Sequence, residues 1–351
     1  TDCMTRIAGT FLVITSLAIC GTPARPASGK DLRRFEFQQT HMGSPVKITL
    51  YASEERFANR AAEAAFARFA ELDRVMSDYK ADSELSRLSG TAGSGRAVAV
   101  SDDLWKVLDR ARQVSEASEG AFDITVGPYV RLWRRARRSK EFPSAERLEE
   151  ARGAVGYRLV RLDRPRQTAE LLTPGMRLDL GGIAAGYAVD EALAVLARRG
   201  VTRALIDASG DVGAGDPPPG KEGWTIGIAP LDATGPPSQY VRLRNAAVTT
   251  SGDAFQHVVI DGRRYSHIVD PRTGLGLTEP SSVCVLAADC ITADSLATAV
   301  SVLGPRDGLQ LIERTPRAAA FIVREVNGTV ETHASTRLRD FQIDRPTRHS
   351  R

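Results

Sequence analysis

Cysteine is scarce in this chain of 351 residues: only Cys3, Cys20, Cys284 and Cys290 occur. Two belong to the first twenty residues, and a bridge between the other two would need a sharp turn straight after an apolar run. There is no Cys-x-x-Cys pair, so neither a disulfide framework nor a thiolate metal site is expected. The standard nucleotide signatures, Gly-x-Gly-x-x-Gly and the P-loop Gly-Lys-Ser/Thr, are missing as well. No Gly-x-Ser-x-Gly elbow surrounds Ser251, which argues against that kind of hydrolase chemistry. Zinc-finger spacing and solenoid repeats are absent too. A net charge of +4 therefore fits anionic ligands or a membrane surface and gives no call for nucleic acid.

What remains is ordinary globular composition, 42% hydrophobic and 26% charged, with ample material for a core. Six basic residues crowd Arg131 to Lys140 around Trp133, and a solvated helix face is the expectation there. Near the N-terminus Arg6 precedes an apolar run from Ala8 to Cys20 and a small-residue exit to Ala27. Residues 4–27 thus read as a secretory signal, too short to span a bilayer as a mature helix. Cys20 after Leu17-Ala18-Ile19 resembles a lipoprotein box with Ile at a usually small position. Plain cleavage is expected, with lipidation at Cys20 as the alternative.

Residues 35–52 alternate as a strand pair around Met42-Gly43-Ser44-Pro45. Helical periodicity covers 56–76, 102–119 and 145–153, and beyond Met176 come short strands, glycine turns and two helices, 182–199 and 293–303. Irregular alternation of strand and helix indicates a mixed α+β fold in one domain, 31–340, rather than a doubly wound sheet.

Several segments have chemical potential. Thr292 reads as an N-cap, with a stop at Gly304-Pro305. Asp294 and Thr298 then share one helix face, a carboxylate and a hydroxyl suited to Mg²⁺ beside a phosphate. Leu178 to Tyr187 joins strand to helix through Gly181 and Gly182, where free N–H groups favour phosphate. Asp123, within Gly120 to Pro128, either meets a ligand's polar edge or ties down a turn. Tyr79 offers an aromatic face to a flat ring. His267 stands where a strand passes into a loop, a suitable place for a general base.

In order, these segments resemble the ApbE family, the FAD:protein FMN transferases. The matching pieces are Met42-Gly43, Met76 to Tyr79 with Asp82 to Leu85, Gly120 to Asp123, and Asp179 to Ala184. Thr250 to Asp253, Ser266 to Gly274, and Thr292 to Asp294 with Thr298 complete the set. The resemblance implies a T-fold-like bilobed α+β domain with FAD in a cleft. It implies that Met42, Tyr79, Ala121, Phe122, Asp123, Asp179, Ala185 and His267 meet FAD. Asp294, Thr298 and the Gly182 carbonyl would hold Mg²⁺, with His267 as catalytic base. The implied reaction moves FMN from FAD onto a Ser or Thr hydroxyl of a redox protein, as in Rnf, Nqr or Nos-type systems, and releases AMP. The implied acceptor motif is Asp-x-x-Ser/Thr-Gly-Ala/Ser-Ser/Thr, and many members work in the periplasm or tethered to the inner membrane. Ala185 replaces the family's usual lysine, with Arg272 as a candidate substitute charge, and Ser209 replaces a usual glycine. FAD hydrolysis to FMN and AMP, with water replacing the protein hydroxyl, stands as one alternative, and, because of Ala185, a non-catalytic periplasmic FAD-binding protein as another.

Overall fold

The computed structural model describes residues 32–343 apart from 230, 232–234, 238 and 253–255. The signal-like segment 4–27, Cys20 and Asp253 lie outside the described residues.

Alternating apolar and polar residues build a hairpin from β1 (Arg33–His41) and β2 (Ser44–Ala52). It turns on Met42 and Gly43, both at positive φ (50 and 78), as a two-residue hairpin demands. Glycine takes that conformation freely; a methionine held there shows the surroundings overruling local preference. In α1 (Glu55–Met76), Ala58, Ala62, Ala65, Phe66, Phe69, Leu72 and Met76 are buried at helical spacing. Ser83 and Ser101 cap α2 (Glu84–Ser89) and α3 (Asp102–Ala117), which flank the short β3 (Val98–Ala99). Pro128 lies in the first turn of α4 (Gly127–Ser139), where its missing N–H costs nothing. Then come α5 (Ala145–Arg152), β4 (Val160–Asp163), β5 (Thr168–Leu171) and α6 (Ala184–Arg198).

The second half is richer in strands: β6 (Ala204–Ala208), β7 (Asp211–Ala214), β8 (Trp224–Ile228) and β9 (Gln239–Leu243). Next are β10 (Ala246–Gly252), β11 (His257–Ile260), β12 (Arg263–Ser266) and β13 (Ser281–Ala287). The described chain closes with α7 (Cys290–Arg314), β14 (Ala319–Val326), β15 (Thr329–Ala334) and β16 (Gln342–Ile343). The main sheet runs β1-β2-β6-β7-β10-β13-β14-β15, with antiparallel pairing throughout. A mixed α+β fold is therefore what the chain adopts, with no doubly wound sheet.

Both faces of the sheet centre are covered. Val283 and Val285 join the cluster of Leu50, Ile206 and Leu296, while Cys284 and Leu286 join Trp224, Val241 and Phe321 opposite. That is why β13 is apolar along its length instead of alternating. Cys284 and Cys290 are buried free thiols. No described helix is long and apolar enough to cross a membrane.

Three expectations change. The N-cap of α7 is Asp289, whose Oδ1 accepts from the Thr292 N–H at 3.0 Å, so Thr292 is not the cap. The helix starts at Cys290, and Asp294 falls in its second turn. At Gly304 the backbone is non-helical (φ 74), as the predicted stop requires, but a second helical segment continues from Pro305 to Arg314. Finally, Arg131 to Lys140 is only partly a solvated face. Trp133 and Ala136 are buried, and Arg134 is half-buried in ion pairs.

Candidate functional site

Two glycines bring α6 against α7. A Cβ on Gly186 would stand 2.4 Å from the Cys290 carbonyl oxygen and 2.8 Å from Asp294 Cβ. One on Gly182 would stand 2.7 Å from the Thr298 hydroxyl oxygen. Gly182, Asp294 and Thr298, separated by more than a hundred residues of sequence, thus form one small region. The Gly186 N–H donates to Asp294 Oδ2 at 3.1 Å. Asp190 reaches from α6 to accept the Cys290 and Ile291 N–H groups at 2.8 and 2.9 Å, fixing the start of α7.

Burial, then the charge of Asp211, holds the Asp294 carboxyl well above the usual carboxylate range. Burial likewise pushes Asp190 and Asp211 up to about 7. Such a carboxylate is a costly anion unless a cation stands beside it. The oxygens available, a carboxylate, a hydroxyl and a backbone carbonyl, are hard donors that fit Mg²⁺. Among the described residues no three His, Cys, Asp or Glu side chains converge on one point. A cation here would therefore draw on the neutral oxygens and on ligand phosphate as well. The free N–H groups expected at the turn that opens α6 are largely taken: Gly181 donates to Asp179, Ala184 to the Leu180 carbonyl at 2.9 Å and Gly186 to Asp294. Ala185, half-buried, lies in that turn.

A second group adjoins the same glycine turn. Asp179 Oδ1 accepts the Gly181 N–H at 2.9 Å, and its Oδ2 takes Arg134 Nη2 at 3.1 Å. Arg134 also pairs with Asp78 and lies 4.2 Å over the ring of Tyr79. Tyr79 is 78% exposed, an aromatic platform at the surface. Burial, then the nearby Asp78, raises the Asp179 carboxyl. Burial alone would lower Arg134, but Asp78 and Asp179 outweigh it and keep the guanidinium charged.

The segment 121–125 closes this wall. The Asp179 N–H donates to the Ile124 carbonyl at 2.8 Å, and Ala121 packs in a small cluster with Ile268 and Val302. Phe122 is buried. Of the two roles open to Asp123, the structure displays the turn-tying one. Its oxygens accept the Thr125 N–H and hydroxyl (2.8 and 2.7 Å) and the Tyr157 N–H (2.7 Å).

His267 follows β12 and neighbours Ile268, which brings it to the Ala121 side. Its Nδ1 lies 3.1 Å from the Gln256 carbonyl oxygen. A carbonyl only accepts, so Nδ1 carries the hydrogen in this contact. Arg272 is held by Asp270 through Nε and Nη2, each at 2.9 Å, and so is committed locally. Met42 belongs to the β1–β2 turn, tied through Pro45 to Ser209, whose hydroxyl donates to the Pro45 carbonyl at 3.1 Å. Ser209 takes φ 58, a conformation glycine adopts at less cost. Two surface concavities of about 420 and 660 Å³ are lined by other residues, Asp190 and Asp216 in one and Phe57 and Arg60 in the other. Arg134 is the site residue that sequence reasoning missed.

The profile of the ApbE family matches residues 42–322. A Haemophilus influenzae relative named FAD:protein FMN transferase is 33% identical over 273 residues, 76% of this chain and 79% of its own. A Treponema pallidum relative of the same name is 30% identical over 334 residues, 91% of this chain and 90% of its own. Among solved structures, the apo flavinyl transferase ApbE of Pseudomonas stutzeri superposes with a TM-score of 0.77 at 30% identity, covering 88% of this chain and 96% of that one. The flavin transferase ApbE of Vibrio cholerae gives 0.79 at 27%, covering 88% and 99%.

Proposed function

The chain belongs to the ApbE family, and from that membership we propose that it transfers FMN from FAD to a protein hydroxyl. A Ser or Thr oxygen of the acceptor attacks the FMN-side phosphorus of FAD. The phosphorus–oxygen bond to AMP breaks, AMP leaves, and FMN remains as a phosphoester. The hydroxyl proton passes to the imidazole of His267 as general base. Tyr79, Ala121, Phe122, Asp179 and Met42 position the flavin end, with Asp123 shaping the wall from behind. The diphosphate would lie at the start of α6, beside Ala185.

Asp294, Thr298 and the Gly182 carbonyl would hold Mg²⁺. When bound it screens the charge of the diphosphate and of the departing AMP. The observation that carries this assignment is the buried Asp294 carboxylate, packed against Gly186 and one helical turn from Thr298, which itself packs against Gly182. We place the mature protein outside the cytoplasm, periplasmic after cleavage of 4–27, or tethered to the inner membrane if Cys20 is lipidated. Its acceptor is a redox subunit bearing Asp-x-x-Ser/Thr-Gly-Ala/Ser-Ser/Thr. The relatives' names lend nothing to the hydrolytic or non-catalytic alternatives.

Asp294→Ala tests the metal assignment. AMP release in the presence of Mg²⁺ should fall at least about a hundredfold with the melting temperature maintained. Full activity in that variant would remove Asp294 from the metal site.

A further inference from the structure

Arg134 touches three parts of the site at once. Its guanidinium pairs with Asp78, meets Asp179 Oδ2 at 3.1 Å and covers the Tyr79 ring at 4.2 Å. Resting on the FAD reading above, we propose that Arg134 is a positioning residue for flavin recognition. It sets the Tyr79 ring and the Asp179 carboxylate in the arrangement FAD meets, and does not itself touch FAD.

Tyr79 follows the end of α1 and is 78% exposed, so little burial fixes its ring. Its backbone N–H bonds the Ser77 hydroxyl at 3.3 Å, which anchors the loop but leaves the ring's orientation to the guanidinium. Asp179 is a different case: its side chain is 11% exposed and it faces a second carboxylate, Asp78. Two acids that close require a shared cation. A planar guanidinium bridges both and keeps a flat face for the ring, which a lysine cannot do.

The base of this clamp is itself fixed. Next to Arg134, the Trp133 indole N–H donates to the Gly274 carbonyl at 2.8 Å. A Cβ on Gly274 would stand 2.5 Å from the Tyr129 ring, so α4 lies hard against the loop that follows His267. One helix thus connects the flavin wall to the histidine loop. Arg131, Arg135 and Arg138 of the same basic run are exposed, whereas Arg134 is half-buried between two acids.

FAD binding to the mature protein, followed by flavin fluorescence, is measured beside steady-state AMP release for Arg134→Ala, Arg134→Lys, Tyr79→Ala and the Ala pair. Arg134→Ala should weaken FAD binding about tenfold, with kcat within about threefold. Arg134→Lys should recover only part of that loss. The double variant should bind little worse than Arg134→Ala, because the Tyr79 ring acts only as Arg134 sets it. Adding Ala185→Lys to Arg134→Ala should not restore binding.

Affinity within twofold of the parent in Arg134→Ala, additive losses in the pair, or full rescue by Ala185→Lys would each overturn the clamp. The last would make Arg134 a substitute charge for the missing lysine. If Arg134→Ala does not fold, Arg134→Met, which keeps the length without the charge, takes its place under the same criteria. A parent protein that binds no FAD overturns the FAD reading along with the clamp. A parent that binds and transfers, matched by Arg134→Ala, overturns the clamp alone.

Discussion

His267 is held at the Gln256 carbonyl, which its backbone N–H reaches at 2.9 Å and its Nδ1 at 3.1 Å. Its place beside Ile268, itself packed on Ala121, brings it to the wall ascribed to the flavin. His267→Ala should therefore lower kcat by about a hundredfold or more while FAD affinity changes less than about threefold. Steady-state kinetics alongside FAD titration checks this, and equal losses in both would make the histidine a binding group. At this scale the sequence was informative wherever neighbours in space are neighbours in the chain. Asp294 and Thr298 could be paired from helical spacing alone. Arg134 could not, because its partners Asp179 and Asp78 are 45 and 56 residues away and nothing local marks them. Asp123 remained ambiguous for the same reason: one of its three donors, the Tyr157 N–H, is 34 residues distant.

Among the elements, the contact between α6 and α7 matters most to the site. Glycine normally weakens a helix by about 1 kcal/mol relative to alanine, so Gly186→Ala would be stabilising on propensity alone. Packing reverses that sign, since the new methyl would meet the Cys290 carbonyl at 2.4 Å and Asp294 at 2.8 Å. Backbone cannot yield as a flexible side chain can, so Gly186→Ala should cost about 1–3 kcal/mol and displace Asp294. Thermal melts and Mg²⁺ dependence would register both effects; a variant as stable and as active as the parent would mean the helices are not so close. The extent of α1 and α3 was legible within a few residues because each has a buried face at helical spacing, whereas α5, with only Ala151 buried, was legible from its charged helical composition and the Gly153 stop. The start of α7 was misplaced because Asp289 and Thr292 are both good caps, and Asp190, which settles the matter, comes from another helix.

For the molecule as a whole, the antiparallel sheet places the Met42 turn, the Ser209 turn and β10 together, while helices bring in the acidic and glycine-rich groups. The mixed α+β class followed from irregular alternation of patterns, but the order of eight strands did not. β13 lost its alternation by burial on both faces, and most pairings join distant segments. The function proposed for this arrangement is movement of FMN onto another protein. Its most direct test is intact mass spectrometry of an acceptor domain carrying the Ser/Thr motif, after incubation with this protein, FAD and Mg²⁺, with AMP assayed in the same sample. The account predicts one FMN added to the acceptor hydroxyl and an equal amount of AMP. FAD bound but left intact, with no mass added to the acceptor, would contradict it.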